Sequence, residues 1–119
     1  MAKERKKSPK HNYHRGANFE RRCKAELEKH DYLVCRSAGS HGEFDLMAVT
    51  ANCMEVLLVQ CKTNGKISMD EMASLADWAE IYGCIPLLAS LVGRKIAWRL
   101  IEGPDRDKLT KLTLKPYDI

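Results

Sequence analysis

With 119 residues and 45% hydrophobic composition, the chain can bury one core and is too short to divide comfortably into two. Its longest apolar stretch, 81–92, is interrupted by Gly83, Pro86 and Ser90 and falls short of the roughly 20 residues a bilayer needs, while the N-terminus lacks the apolar segment of a signal peptide. Five cysteines without a C-x-x-C pair suggest neither a disulfide framework nor a zinc ribbon, so the expectation is a reduced, intracellular, cytoplasmic protein with no membrane partner. The formal net charge is +4, but the first fifteen residues hold Lys3, Arg5, Lys6, Lys7, Lys10 and Arg15 against Glu4 alone. Such a local excess suits a polyanion, whose condensed counterions are released on binding; the plainer reading is a solvated tail. Residues 1–15 are therefore taken as a basic, flexible tail and 16–119 as a single domain.

From Ala17 to about His30, Phe19, Cys23 and Leu27 recur every four residues among charged neighbours, the stripe of an amphipathic helix that Gly16 or Asn18 could cap. Three β-like segments follow, Tyr32 to Arg36, Glu43 to Thr50 and Met54 to Lys62, with Ala51, Asn52 and Cys53 turning between the last two. Val56 to Val59 is apolar throughout, as for a strand covered on both faces. Ser68 and Glu71 form an S-x-x-E capping box before a helical period that runs to about Tyr82 and stops at Gly83. Pro86 to Val92 and Lys95 to Ile101 read as two more strands around Gly93 and Arg94. Residues 103–119 have weak periodicity and stay unassigned. The order α-β-β-β-α-β-β is that of an α/β fold with a mixed β-sheet flanked by helices.

Hydrolysing a phosphodiester needs an activated water, a cation to neutralise developing charge and a group near the leaving oxygen; carboxylates that hold a hard divalent metal, with one lysine, supply these. Asp45 lies within the apolar segment 44–49, where a charge is expensive unless paired or metal-bound. Gln60 and Lys62 alternate onto one face of the next strand and Cys61 onto the other. From there Cys61 offers Mg2+ or Mn2+ a backbone carbonyl rather than its thiol. Glu55, at an odd position, faces away from Gln60 and does not substitute for it. Taken singly, Asp45, Lys62 and Glu20 would each read as an ordinary solvated charge; it is their joint spacing that points to chemistry.

Four runs carry a resemblance: Gly16-Ala17-Asn18-Phe19-Glu20-Arg21, then Val34-Cys35-Arg36-Ser37-Ala38-Gly39-Ser40, then Asp45-Leu46-Met47-Ala48, and Val59-Gln60-Cys61-Lys62. With segments 83–89 and 98–101, they make residues 16–102 resemble the archaeal Holliday junction resolvases, within the PD-(D/E)xK nucleases. The acid-plus-lysine signature is shared by many nucleases, and the R-S-A-G-S run is the more specific part. The resemblance implies a restriction-endonuclease-like fold and a metal site of Glu20, Asp45 and Gln60, to which the Cys61 carbonyl is added. It implies that Lys62 stabilises charge or orients the attacking water, that Ser40 lies beside the scissile phosphate, and that Arg21 and Arg36 hold DNA. Arg15, Ser37, His41 and Lys66 are added as candidate DNA contacts.

The implied protein is a homodimer with two active sites, nicking two opposed strands of a four-way junction with Mg2+ or Mn2+. One position departs from the family pattern: Gln60 stands where glutamate is usual, and its amide brings a carbonyl oxygen without charge. Two alternatives stay open, a less selective nuclease of the same fold and a non-cleaving branched-DNA-binding protein weakened by Gln60. His11 and His14 form an H-x-x-H pair with no convergent third ligand nearby and read as solvated. Lys66 and Arg94 are plausible phosphate contacts, and Trp78 and Trp98 read as core or dimer surface before base-stacking platforms.

Overall fold

The computed structural model describes residues 9–37, 44–52, 54–103 and 112–119, with side chains described from Gly16 onward. Phe19, Cys23 and Leu27 form the buried stripe of helix α1 (Pro9–Lys29), as their spacing requires. The helix starts at Pro9 rather than Ala17, so Gly16 and Asn18 lie within it and neither caps it. Proline is tolerated in a first helical turn, where its missing N–H would have no partner. Apolar periodicity marks only the turns that pack on the sheet, which is why it does not reveal the earlier ones. Asp31, with φ of 69°, turns the chain out of the helix, a left-handed conformation that short polar side chains tolerate.

Six strands follow: β1 (Tyr32–Arg36), β2 (Leu46–Thr50), β3 (Val56–Cys61), β4 (Ile85–Val92), β5 (Lys95–Glu102) and β6 (Thr113–Pro116), with helix α2 (Met69–Tyr82) between β3 and β4. They form one sheet in sequence order, in which β3 and β4 pair in parallel and all other neighbours antiparallel. Only the β3–β4 connection needs a crossover, and α2 provides it. The mixed sheet and helix order agree with the sequence reading; β6 extends it into the unassigned segment 103–119, where its pairing with β5 replaces the periodicity that four residues cannot display.

Helix α2 begins with the expected capping box. Ser68 accepts from the Glu71 N–H at 3.0 Å, and the Glu71 carboxylate accepts from the Ser68 N–H at 3.3 Å. It ends at Gly83, which is left-handed at φ of 68° and donates its N–H to the Ala79 carbonyl.

Strand alternation divides the core into two layers. Leu46, Ala48, Leu57, Val59, Leu87, Ala89 and Trp98 pack with Phe19, Cys23 and Leu27 on the α1 face. Leu58 and Ile101 pack with Met72, Leu75 and Ala79 on the α2 face, with half-buried Met47 against them. Trp98 is therefore core. Trp78 is partly exposed, its ring 6.5 Å from Phe44 and 5.3 Å from Tyr82. No helix among the described residues is long and apolar enough to cross a membrane.

Candidate active site

Strand β2 begins at Leu46, which leaves Asp45 just outside it, at the site. Its pairing with β3 ends at Leu46 and Val59. Just before it, Asp45 keeps its backbone paired: its N–H donates to the Val59 carbonyl at 2.8 Å and its carbonyl accepts from Ser37 at 2.9 Å. Its side chain leaves the ladder, and Oδ2 accepts the Cys61 N–H at 2.7 Å. A carboxylate here takes the place of a backbone acceptor for a donor at the end of β3.

Asp45 and Lys62 lie just outside the ends of β2 and β3, and the Lys62 charge acts on Asp45. Asp45 is two residues before Met47 and Lys62 four after Leu58, and both of these apolar residues belong to the α2-side cluster. Gln60, between Leu58 and Lys62, shares the face of Leu58. Burial raises the Asp45 pKa, the Glu71 charge adds to the rise, and the Cys61 N–H and the Lys62 ammonium oppose it. Lys62 Nζ pairs with Glu71 Oε2 at 2.8 Å.

Glu20 approaches from α1, held at 3.2 Å by Arg36 Nη2 on β1. Its pKa is raised by burial and then by the Asp45 charge, while Arg36 lowers it. The Asp45 charge thus reaches Glu20 across the strand end, and burial makes each carboxyl resist ionising. The Cys61 thiol faces α1, and hydrogen bonding with the Cys23 thiol, then burial and the Asp45 and Glu20 charges, hold it far above the usual thiol range. That sulfur stays protonated, leaving the carbonyl as the donor Cys61 can offer.

Among the described residues, no three His, Cys, Asp or Glu side chains converge tightly enough to hold a metal ion. The expected ligand set contains only two carboxylates, its other members being an amide and a backbone carbonyl. All four donors are hard oxygens. Burial raises the pKa of both Glu20 and Asp45, and a bound divalent cation would favour their ionised forms, so these oxygen donors fit a hard divalent cation.

The remaining candidates scatter around this centre. Arg21 is exposed and donates to the Asn18 side chain at 2.8 Å. Ser37 engages Asp45 only through its backbone. Lys66 is exposed in the loop after β3, where Asn64 accepts its N–H at 2.9 Å. Arg94, in the β4–β5 turn, accepts at its carbonyl from Arg22. Ser40, His41 and Glu43 lie outside the described residues, as do the side chains of His11, His14 and Arg15.

Glu55 lies at the far end of β3, where its charge acts on Tyr32 and Tyr117. An open pocket of about 360 Å³ lined by His30, Asp31, Asn52 and Glu55 is at that far end too, away from Asp45.

Sequence reasoning missed Glu71 as a neighbour of the site, having absorbed it into a helix cap. It also missed Arg99, whose Nη2 reaches the Gly65 carbonyl at 3.5 Å, beneath the turn that follows Lys62. Gly65 has φ of 72°, and a Cβ there would sit 3.1 Å from that same guanidinium. No local pattern marks either contact, because each depends on how separate elements pack together.

Known proteins resemble this chain in sequence and fold. The model of a family described as archaeal Holliday junction resolvase (hjc) matches residues 11–117. The crossover junction endodeoxyribonuclease Hjc of Methanocaldococcus jannaschii is 42% identical over 84 residues, 67% of this chain. The match spans 61% of that relative's length. The solved structure of Archaeoglobus fulgidus Hjc, a Holliday junction resolvase from an archaeal hyperthermophile, superposes with a TM-score of 0.61 at 25% identity. That match covers 86% of this chain and 84% of the other.

Proposed function

The chain belongs to the archaeal Holliday junction resolvase family, and from that premise we propose that it is a structure-selective endodeoxyribonuclease that resolves four-way DNA junctions inside the cell, making paired nicks with Mg2+ or Mn2+. The observation that carries the reading is the meeting of Asp45, Glu20 and Lys62 at the end of β3, with Asp45 anchored on the Cys61 N–H. Glu20, Asp45, the Gln60 amide oxygen and the Cys61 carbonyl would hold the cation. When bound, such a cation neutralises phosphate oxygens and makes water a better nucleophile.

The chain's own residues supply the rest. Lys62 brings a positive charge next to Asp45, where charge developing on phosphate oxygens is stabilised. Arg36 and Arg21 are exposed at the rim beside Glu20 and Lys66 on the loop after Lys62; as phosphate contacts they orient DNA without reading its sequence. Ser40 and His41 are proposed to reach the same phosphates.

A four-way junction has near two-fold symmetry, and two opposed nicks call for two sites related in the same way. We assign the second site to a second copy of this chain. Trp78, Ile81 and Tyr82 leave an apolar face on α2, with Ile81 71% and Tyr82 64% exposed, and a second copy covering it would remove that surface from water.

The test is cleavage of a synthetic four-way junction and of linear duplex, with Mg2+, with Mn2+ and with a chelator, alongside light scattering of the free protein. Paired junction nicks that require metal, from a protein of dimer mass, are expected. Equal cutting of linear duplex would favour the less selective nuclease. Tight junction binding without cutting would favour the non-cleaving reading that the neutral Gln60 invites, and a monomer that nicks one strand would remove the symmetry argument.

The tail read from the sequence as residues 1–15 overlaps α1, which starts at Pro9; its first eight residues contain Lys3, Arg5, Lys6 and Lys7 against Glu4, and we assign them to non-specific phosphate binding. Their removal is expected to flatten the slope of log affinity against log salt by about 0.9 for each phosphate they would neutralise. An unaltered slope would leave the tail without a role in binding.

A further inference from the structure

Gln60 leaves the α2 face of the site one negative charge short of what two strand carboxylates would provide, yet that face contains a carboxylate that comes from another element. Glu71 belongs to the first turn of α2, and its two oxygens are divided between two tasks. Oε1 accepts from the Ser68 N–H at 3.3 Å and from the Ser68 hydroxyl at 3.2 Å. Oε2 pairs with Lys62 Nζ at 2.8 Å. The capping box therefore fixes the carboxylate in rotation and points its free oxygen at the lysine of the site. The Glu71 charge also reaches Asp45, where it opposes ionisation.

A surface pair between a lysine and a glutamate is ordinarily worth little. Here the glutamate is held from behind by Ser68, so little rotamer freedom remains to be lost when it pairs. Its neighbours also differ from those of an ordinary surface pair: Lys62 immediately follows Cys61, whose N–H binds Asp45. Moving the ammonium would change the field at Asp45 directly.

We propose that Glu71 is a positioning residue of the site, holding the Lys62 ammonium beside Asp45 and supplying from α2 the negative charge that Gln60 leaves absent from β3. Position 60 and position 71 then share one requirement, a carboxylate near Lys62 on the α2 face, and this chain meets it from the helix. The inference rests on the nuclease reading of this site, but its central test does not need cleavage.

Glu71→Gln is the informative variant, because glutamine also closes a capping box while its amide brings no charge to Lys62. The intact protein, Glu71→Gln and the double variant Glu71→Gln with Gln60→Glu are compared by Mn2+ titration calorimetry without DNA, by thermal melting, and by junction cleavage with kcat and KM separated. Loss of a supporting residue of this kind typically costs about 10–100-fold in metal affinity or activity. Glu71→Gln is expected to melt like the parent, bind Mn2+ at least ~10-fold more weakly and lose kcat with KM little changed. The double variant is expected to regain Mn2+ affinity and kcat.

Unchanged Mn2+ affinity in Glu71→Gln overturns the proposal. So does a loss matched by a lower melting temperature, which would reduce Glu71 to a helix cap, and so does a double variant that is not rescued. A parent that binds Mn2+ without cutting junctions would sink the nuclease reading alone, and one that does neither would sink both.

Discussion

Replacing Asp45 by Asn is expected to abolish junction cleavage while leaving junction binding largely intact, because it takes one of two carboxylates from the proposed cation site, and to raise the melting temperature of the metal-free protein. Both changes follow from the loss of that one charge. Asp45 is half-buried and its pKa is raised, first by burial and then by Glu71, despite the Cys61 N–H and Lys62. A carboxyl whose folded pKa lies above its unfolded value gives stability that is fully present below the unfolded pKa and is lost as pH rises through the folded one. At neutral pH the ionised group therefore costs the metal-free fold stability. The asparagine carbonyl can still accept from the Cys61 N–H, so the substitution removes the cost and keeps the bond. The gain should shrink as pH falls through the titration range of Asp45, because protonation gives the parent the same relief. Thermal melts of both proteins across that range check the sign. A variant less stable than the parent at neutral pH, or one that cuts at the parental rate, would contradict the place given to Asp45.

The largest effect on stability is expected at Leu87. It is fully buried in β4, which pairs with β3 on one side and β5 on the other, and its side chain lies in the α1-side core. Leu87→Ala removes apolar burial and leaves a cavity that a paired strand can barely close, at about 2–5 kcal/mol. For a domain of this size that lowers Tm by on the order of 10 °C. Leu33→Ala provides the contrast: Leu33 is 70% exposed on edge strand β1, and its loss should stay within about 0.5 kcal/mol. Urea denaturation of the two variants measures the difference. Equal stabilities would mean that the layer between α1 and the sheet is not the core.

Much of this molecule is legible without coordinates because the signals are local. A buried stripe at every fourth residue locates the packed part of α1, and alternation separates Gln60 and Lys62 from Cys61. The capping box and Gly83 bound α2 from within a few residues of its ends. The start of α1 was not legible, since turns without a packed face carry no apolar period. Strand β6 was not legible because its four residues gain their conformation from pairing with β5.

The site divides along the same line. Parity within one strand was enough to put Gln60 and Lys62 on one face and Cys61 on the other, whereas the place of Asp45 against them depends on the register of β2 on β3, which only the structure gives. The bond from Cys61 to Asp45, the Arg36 hold on Glu20 and the pairing of Lys62 with Glu71 join residues 16, 16 and 9 positions apart. Such contacts depend on where β2 leaves β3 and where the crossover helix begins. Those positions are outcomes of packing two layers against one sheet, and no short window of sequence contains both partners.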